Sequence, residues 1–326
     1  MGRNALNAPR IVVVGSYATG LTMKVDRLPG SGETLLGTGY RVDYGGKGSN
    51  QAVACARLGA SVSFIAKIGN DAFGEMAMGL YRDEGVQTVH VQQTADAPTG
   101  VGFIIVDANT GHNCITIDPG ANELLSAMDV ARGVEASAPA GVVLTQLEVS
   151  VAAAEAAMVA GRAIKAITIL NPAPVRPLPA SILSFIDVLT PNETEARVLA
   201  GIRPDGAMEP ENIAQQLIQN GVKNVIMTLG ERGALIVNSS SVTHVPAISV
   251  PAVDTTGAGD AFNAGLAVAL ASGANIGDAV RFGVVTGGLA VTKDGVIPSL
   301  SRIIQVVEFY KKSSLTAPGW LSTVAG

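Results

Sequence analysis

Short runs of aliphatic and β-branched residues recur along the chain, separated by longer stretches with helical spacing. The first run, Ile11 to Val14, is stopped by Gly15 and predicts a strand buried in a parallel sheet. Beyond Gly120 such strands alternate with helices, which predicts an α/β fold with a doubly wound, mostly parallel sheet. The predicted strands there are Val142 to Leu147, Ile167 to Leu170, Ile186 to Leu189, Asn224 to Leu229 and Ala234 to Val237. The predicted helices are Ala152 to Ala163, Glu193 to Leu199, Glu211 to Gln219, Ala258 to Ala271 and Asn275 to Val291.

Two other segments mix polar and apolar residues in a way that is typical of hairpins with one exposed face. One joins Leu21 to Leu28 with Thr34 to Tyr44, and the other joins Gly100 to Asp107 with His112 to Asp118. We therefore predict a single domain over residues 1–326, with a small β-sheet lid made by the hairpins at about 20–44 and 98–118. The tail beyond Lys312 is predicted to be loosely ordered.

Composition narrows the class of protein. The net charge of −5 provides no basic surface, so we expect no nucleic-acid partner. The first residues, Met1 to Arg10, lack the apolar core of a signal peptide, and no apolar run is long enough to span a membrane. Cys55 and Cys114 form no CxxC motif and are interpreted as reduced core thiols. We expect a cytoplasmic globular protein without a membrane partner.

The stretch from Asp254 to Asp260 places two carboxylates around a turn of small residues, just where a helix is predicted to begin. The amides of Gly257, Ala258 and Gly259 would lie at the helix N-terminus, where unpaired N–H groups and the helix dipole favour an anion. Asp260 would then be a base beside a phosphate, and Asp254 would be free to hold a cation. The alternative is a plain loop with a helix cap, because Asp and Gly are common in both.

A second glycine-rich turn, Gly45 to Asn50, leads into a predicted helix of small residues. It is not a P-loop, because Lys47 is followed by Gly48 where that motif needs Ser or Thr. The small residues would admit a polyhydroxylated ligand, with Lys47 and Asn50 supplying hydrogen bonds. The alternative is a loop with an exposed lysine.

Three predicted strand ends carry polar residues with two interpretations each. Glu148 either reads a substrate hydroxyl or caps the next helix. Asn192 and Glu195 have the spacing of a capping box, but they also suit a water-mediated Mg²⁺ site. The segment from Thr228 to Gly233 is explained by a hairpin turn or by a nucleotide-phosphate contact.

Together, the Gly45-to-Asn50 turn, the Asn192/Glu195 pair and the Asp254-to-Asp260 motif resemble the ribokinase (PfkB) family of carbohydrate kinases. The resemblance runs from about Ile11 to Tyr310. It implies a ribokinase-like, Rossmann-like fold and an ATP-dependent kinase that phosphorylates a primary hydroxyl of a small sugar, ribose or a close relative. It also implies Mg²⁺, K⁺ as a monovalent activator, and a homodimer formed through the lid. The alternatives are a nucleoside or another sugar (a hexose or a deoxypentose) as substrate, and a catalytically silent sugar-binding protein, against which the intact Asp260 argues.

The resemblance also implies roles for the residues that react or contact the sugar. Asp260 matches the catalytic base, which takes the proton from the sugar's primary hydroxyl as that hydroxyl attacks the γ-phosphate. The anion hole that stabilises the phosphoryl group is matched by Gly257, Ala258 and Gly259. The sugar-contacting positions are matched by Gly46, Lys47, Asn50 and Glu148.

The remaining matches concern ATP and the metal ions. Asn192 and Glu195 match the motif that organises Mg²⁺ and phosphate. The nucleotide loop is matched by Thr228, Gly230 and Gly233. The monovalent-cation site is matched by Asp254, by Ser299 and by four residues that contribute backbone carbonyls. These four are Thr256, Ala290, Lys293 and Gly295.

One departure puts the identity of the sugar in doubt. Ribokinases carry an Asn and, two residues on, an Asp that hydrogen-bond sugar hydroxyls, whereas Ala18 and Gly20 align there in this chain. We expect this loss to weaken ribose binding, since hydrogen bonds to a charged group are among the stronger ones. Tyr17, Thr19 or Asp26 could compensate, or the substrate could lack those hydroxyls.

Overall fold

The structure is a computed structural model and describes residues 8–203 and 206–322. Its strands are β1 (Arg10–Val14), β2 (Ala18–Val25), β3 (Thr38–Gly45), β4 (Ser61–Gly69), β5 (Gln87–Thr94), β6 (Gly100–Asp107), β7 (Asn113–Asp118), β8 (Val142–Thr145), β9 (Ile167–Leu170), β10 (Val188–Leu189), β11 (Asn224–Thr228), β12 (Ala234–Asn238) and β13 (Val242–Val245). Its helices are α1 (Lys47–Arg57), α2 (Ala72–Glu84), α3 (Ala127–Ala136), α4 (Val151–Ala163), α5 (Ala180–Leu183), α6 (Glu193–Leu199), α7 (Pro210–Gln219), α8 (Ala258–Ala271), α9 (Ile276–Ala290), α10 (Val296–Ser299) and α11 (Ile303–Lys312).

The main sheet has nine strands in the order β13-β12-β11-β10-β9-β8-β1-β4-β5. Its strands are parallel from β11 to β5, and β12 and β13 extend it in antiparallel fashion. The strand order reverses at β1, which lies between β8 and β4. The prediction of a doubly wound, mostly parallel sheet is confirmed, and ligands of such sheets bind in the crevice at the reversal.

Both faces of the main sheet are buried, as the near-continuous apolar strands predict. Along β1, Ile11 and Val13 belong to the cluster that packs against α1, α8 and α9. Val12 and Val14 point the other way and join the cluster beneath α4 and α7. Burial on two sides holds the carboxyl end of β1 rigidly, which suits a segment that must support a site.

The second sheet has four strands in the order β3-β2-β6-β7. The two predicted hairpins form its antiparallel pairs, β2 with β3 and β6 with β7. Parallel pairing of β2 with β6 joins the hairpins into one sheet, which the sequence pattern did not show. The register between them sets Ala18 opposite Gly100 and Gly20 opposite Gly102.

Several features differ from the predictions, and one is that Cys114 is exposed on β7 and is not a core thiol. Helix α1 begins at Lys47, so this residue lies in the first helical turn and not in the preceding loop. Helix α3 was not predicted, although Ser126 and Asp129 form a capping box at its start. The strict alternation ends at β11, because β11, β12 and β13 form an antiparallel meander and helices follow.

The tail was predicted to be loosely ordered, and for Trp320 and Leu321 this is wrong. Trp320 packs edge-on against Phe282 with ring centroids 4.8 Å apart, and Leu321 is buried. Burial of a large aromatic ring and a leucine is enough to anchor a short chain end. Residues 323–326 lie outside the described part of the chain. None of the described helices is long and apolar enough to cross a membrane.

Candidate active site

The glycine-rich turn before α1 packs directly on the end of β1. Gly46 has φ 85°, and a Cβ atom there would lie 2.7 Å from the Cα of Tyr17. A Cβ atom on Gly48 would lie 2.6 Å from the carbonyl carbon of Gly15. These approaches leave room only for glycine and bring the start of α1 to the point where the strand order reverses.

Asp260, the predicted base, lies in the first turn of α8 and is buried. The side-chain amide of Asn50 donates to its Oδ2 at 2.8 Å, and that of Gln51 donates to its Oδ1 at 2.9 Å. Burial raises the pKa of Asp260, although Lys47 and the two amide donors act in the opposite direction. A buried carboxylate with a raised pKa is a better proton acceptor than an exposed one.

Gln51 was not predicted as a site residue, and it connects the base to a buried polar network. Its amide group also donates to Oδ1 of Asn171 at 3.2 Å, and its Oε1 accepts a hydrogen bond from Gln146. Asn171 in turn donates to the carbonyl of Thr190 at 3.1 Å. The sequence offered one indication of this role. A glutamine within a predicted helix of small residues is expected to be buried, and its amide group then needs hydrogen-bond partners.

The network continues from Thr190 to the helix that carries the base. The hydroxyl of Thr190 donates to Oδ1 of Asn263 at 2.6 Å, and the amide of Asn263 donates to the carbonyl of Gly259 at 2.8 Å. These bonds hold the carboxylate of Asp260 and the adjacent backbone from two directions. Hydrogen bonds of this kind restrict the side chains that they join, although Oε1 of Gln146 has no partner among the described residues.

Glu148 stands at the reversal point, after the end of β8. Its Oε2 accepts hydrogen bonds from the hydroxyl of Ser16 at 2.6 Å and from the backbone N–H of Lys47 at 2.7 Å. The alternative interpretation as a helix cap is wrong, because Ser150 caps α4. Glu148 therefore ties the end of β1 to the start of α1.

Lys47 projects among carboxylates from three segments of the chain. Burial acts to lower its pKa, but the charges of Asp260, Glu148 and Glu195 outweigh it and the pKa is raised. The ammonium group is therefore positively charged at neutral pH. This arrangement brings the predicted base, the predicted sugar-contacting residues and one residue of the predicted magnesium motif to one place.

The N-terminus of α8 has the form expected of an anion site. Gly257 is the N-cap with φ 82°, and no side chain caps the helix within the described residues. A Cβ atom on Gly259 would point into open space, so a ligand can approach the backbone there. The amide of Ala258 differs from the prediction, since it donates to the carbonyl of Thr255 at 3.2 Å. At that length the bond is at the weak end of the usual range.

Asn192, Glu195 and Thr228 lie close together. Asn192 and Glu195 form the capping box of α6, with each side chain accepting a hydrogen bond from the other's backbone N–H, at 2.8 and 2.9 Å. Burial raises the pKa of Glu195, against the effects of the Asn192 N–H group and the Lys47 charge. Asn192 pairs with Thr228 in an isolated parallel bridge.

A pocket of about 850 Å³ extends from Asn192 and Thr228 to the N-terminus of α8. One wall is the turn after β11, where Gly233 has φ 94° and its carbonyl accepts a hydrogen bond from the N–H of Leu229. Other parts of the lining were not predicted, and they come from the segment after β13, from α8, and from α9 with its C-cap residue. They include Ile248, Val250, Phe262, Gly287, Gly288 and Val291. This size and apolar character suit a nucleotide base and ribose.

Asp254 joins two of the segments predicted for a monovalent cation. Its Oδ1 accepts from the N–H and the hydroxyl of Thr256, at 2.9 and 2.7 Å, and its Oδ2 accepts from the N–H of Gly295 at 3.1 Å. Ala290 is the last residue of α9, and its carbonyl accepts a hydrogen bond from the N–H of Lys293 at 3.4 Å. The buried hydroxyl of Ser299 donates to the carbonyl of Val296 at 2.7 Å. The carboxylate and carbonyl oxygens here fit a hard cation.

Ala18 and Gly20 lie on one face of the small sheet, here called its inner face. Tyr17 and Thr19 point the other way, because both are buried and their hydroxyls lie 3.1 Å apart. They cannot replace side chains at positions 18 and 20. Asp26 is exposed and lies beyond the end of β2, so it does not replace them either.

Comparison with known proteins relates most of the chain to carbohydrate kinases. The profile of the pfkB family carbohydrate kinases matches residues 8–303. The chain is 36% identical to a ribokinase of Haemophilus influenzae over 299 residues, which cover 92% of this chain and 97% of that one. It is 35% identical to a deoxyribokinase of Salmonella typhi, covering 92% and 98%. The solved structure of Arabidopsis thaliana ribokinase with ribose and ATP superposes with a TM-score of 0.86 at 32% identity, covering 94% and 100%.

Proposed function

Because the chain belongs to the pfkB family of carbohydrate kinases and is an ATP-dependent sugar kinase, we propose that Asp260 is its catalytic base. The supporting observation is the position of its carboxylate, which is buried at the N-terminus of α8 and held by Asn50 and Gln51. Asp260 takes the proton from the sugar's primary hydroxyl as the hydroxyl oxygen attacks the γ-phosphate of ATP.

The other groups of the site position the reactants and balance charge. The amides of Gly257, Ala258 and Gly259 face the transferred phosphoryl group, with the Ala258 amide leaving its weak bond to Thr255. Lys47 adds positive charge between the base and Glu195, which lowers the cost of negative charge in the transition state. Most of the catalysis of phosphoryl transfer comes from positioning and electrostatics of this kind.

ATP occupies the 850 Å³ pocket, with its phosphates directed to the start of α8. Thr228, Gly230 and Gly233 bound the nucleotide on one side. The described residues contain no cluster of three or more acidic, histidine or cysteine side chains suited to a metal ion. Asn192 and Glu195 would hold Mg²⁺ through water, since this ion keeps several waters and takes few direct carboxylate ligands. When bound, it neutralises phosphate charge.

A monovalent cation, K⁺ in preference to Na⁺, binds beside Asp254. Its ligands are the Asp254 carboxylate together with oxygens of Thr256, Ala290, Lys293, Gly295 and Ser299. The bonds from Asp254 to Thr256 and Gly295 support this proposal, because they already join the two loops that would share the ion. The ion stabilises the turn that leads to the anion site and does not contact the sugar.

The sugar binds between the inner face of the small sheet and the start of α1, with that sheet as a lid over one kinase domain. Gly46, Lys47, Asn50 and Glu148 contact it. Asn50 supports this placement, because its Oδ1 is buried and has no hydrogen-bond partner among the described residues. Ribose or a close relative is the proposed substrate. A deoxypentose, a hexose or a nucleoside is the alternative that the small side chains at positions 18 and 20 favour.

The protein is proposed to be a cytoplasmic homodimer that assembles through the outer face of the small sheet. Met23, Val42 and Phe103 share that face and leave large apolar areas exposed. A Phe103→Asp variant is expected to sediment as a monomer, while Val159→Asp, on the exposed side of α4, does not change the mass. A monomeric unmodified protein would contradict the dimer.

An ADP-release assay with a panel of pentoses, hexoses and nucleosides tests the activity, with Asp260→Asn as the blank. The unmodified protein is expected to phosphorylate at least one pentose. Asp260→Asn is expected to lose about 10²–10⁴-fold in turnover, since this is the usual contribution of a general base. ADP release that is equal in both proteins would contradict the role of Asp260.

A further inference from the structure

We propose that Asp43, on strand β3, is the carboxylate that selects the sugar by accepting hydrogen bonds from its secondary hydroxyls. This inference rests on the proposed sugar-kinase function and adds a specificity residue to it. Asp43 has no place among the sequence-predicted site residues. Its position is set by the register between two strands, which a sequence pattern does not display.

The inner face of the small sheet carries few side chains larger than a methyl group near its attachment to the main body. Two rows of residues cross the sheet there. One row consists of Gly45, Ala18 and Gly100, and the next of Asp43, Gly20, Gly102 and Ile117. Apart from Asp43 and Ile117, these residues carry at most a methyl group. The face is therefore a shallow floor with a single charged side chain in these two rows.

The second observation is the contact between Asp43 and Gly20. The two residues are directly opposite each other in the antiparallel pair, so their side-chain positions share one face. A Cβ atom on Gly20 would lie 3.8 Å from the Cβ of Asp43. A carboxylate on Asp43 thus occupies nearly the same part of the pocket as a carboxylate at position 20 would. Strand β3 thus supplies the carboxylate that β2 lacks.

The inner face is turned toward the active site, as contacts at both ends of these strands indicate. Just before β2, the hydroxyl of Ser16 donates to Glu148, which also holds the start of α1. On β3, Arg41 shares the face of Asp43 and reaches Asp294 at 3.1 Å, in the turn next to Gly295. Asp43 is therefore on the side of the sheet that looks toward the main body.

Asp43 keeps its carboxylate available for a ligand. Its one recorded ion pair in the described structure is with the Nε of Arg41, at 3.4 Å, and about half of each side chain is exposed. Exposed ion pairs of this kind are weak, so sugar hydroxyls can compete for the carboxylate oxygens. A carboxylate can accept from two hydroxyls at once, which favours sugars with adjacent secondary hydroxyls. Ile117 and Ile104 border the floor and suit the less polar face of a sugar ring.

The test compares Asp43→Asn with the unmodified protein, using steady-state kinetics on ribose and on 2-deoxyribose. We expect kcat/KM for ribose to fall roughly ten- to a hundredfold, mainly through KM, because a charged hydrogen-bond acceptor is lost. The kcat/KM for 2-deoxyribose and the KM for ATP are expected to change less. Arg41→Gln is the matched control, since it removes the ion pair and leaves the carboxylate.

A second variant moves the carboxylate back to β2. A Cβ atom on Gly20 would make only ordinary contacts, 3.6 Å from Cδ1 of Ile104 at the nearest, so the strand accepts a side chain there. Asp43→Ala combined with Gly20→Asp is therefore expected to regain most of the ribose preference that Asp43→Ala loses. Thermal unfolding and titration calorimetry with ribose separate loss of binding from loss of folding.

Equal ribose kinetics for Asp43→Asn and the unmodified protein would overturn the assignment. An equal loss in Arg41→Gln would also overturn it, because the ion pair rather than the carboxylate would then matter. Both results leave the sugar-kinase function intact. If instead the unmodified protein phosphorylates no sugar in the panel, the proposed function fails, and the assignment of Asp43 fails with it.

Discussion

The side-chain amide of Gln51 lies 2.9 Å from Oδ1 of Asp260, although the two residues are 209 positions apart in the sequence. Gln51 is fully buried, and the same amide group also reaches Asn171. The second oxygen of Asp260 is bonded to Asn50, a proposed sugar contact. Gln51 therefore holds the carboxylate in one orientation, and the oxygen on the Asn50 side is the one that we propose to face the substrate.

From this contact we predict that Gln51→Leu lowers kcat by about ten- to a hundredfold, since small displacements of a catalytic group have effects of this order. KM for ATP is expected to stay nearly constant, because Gln51 does not line the nucleotide pocket. Steady-state kinetics with the preferred sugar measure both quantities.

Gln51→Glu is a sharper test, because it keeps the shape and adds a carboxylate beside Asp260. Like charge disfavours the ionised form, so the pKa of Asp260 should rise further and the acidic limb of kcat/KM should move to higher pH. Gln87→Glu, on the exposed part of strand β5, is the control and should leave the limb in place. An unchanged limb in Gln51→Glu would show that Gln51 has only a structural role.

The pH dependence of the unmodified enzyme follows from the burial of Asp260. The base must be ionised to accept a proton, and burial raises its pKa above the ordinary aspartate value. Activity should therefore be full well above the raised pKa and should fall as the pH drops through it. The pH profile of kcat/KM measures this limb, and a limb at or below about pH 3.9, the value for a free aspartate, would contradict the prediction.

The cation site predicts a dependence on the monovalent ion in the buffer. Rates are expected to be higher in K⁺ than in Na⁺ and lowest with a bulky organic cation, and Asp254→Asn should remove the difference. Asp294→Asn is the control, because its exposed side chain pairs with Arg41 and does not belong to the proposed ligand set. Identical rates in all three salts would return Asp254 to a purely structural role.

A buried ion pair away from the site gives a prediction about stability. Glu84 and Arg57 meet at 2.5 Å, with 8% and 11% of their side chains exposed, and Arg302 also contacts Glu84. We predict that Glu84→Gln lowers the free energy of unfolding by about 3–5 kcal/mol, because Arg57 is left buried without its charged partner. Urea unfolding measures the change. The exposed neighbour Asp83 is the control, and Asp83→Asn should cost less than about 1 kcal/mol.

The same pair sets a pH dependence of stability. Burial acts to raise the pKa of Glu84, but Arg57 and Arg302 outweigh it, so the folded-state pKa is lowered. The stabilisation that ionised Glu84 provides is therefore fully present above its unfolded-state pKa of about 4.3. It is lost as the pH falls through the folded-state pKa. Unfolding experiments between these pH values should show the difference between the unmodified protein and Glu84→Gln shrinking as the pH falls.

The sequence alone determined the class of fold and the elements that depend on near neighbours. Strands buried on both faces are recognisable as continuous apolar runs, as in Ile11 to Val14, and this confirmed prediction needs no tertiary information. The helix start at the proposed anion site could be predicted for the same reason, because Gly257 and Asp260 belong to one turn and one helix and are neighbours along the chain.

Only the tertiary structure decided which distant side chains meet. Gln51 joins Asp260, and Asp43 stands opposite Gly20, because helix packing and strand register bring separate segments together. A shift of one residue in the register of β2 and β3 would turn Asp43 to the outer face, and no local pattern records that choice. Trp320 in the tail is likewise anchored by its contact with Phe282, which lies on α9. Features that depend on neighbouring residues can be predicted from the sequence, whereas contacts between distant residues are decided by how the elements pack.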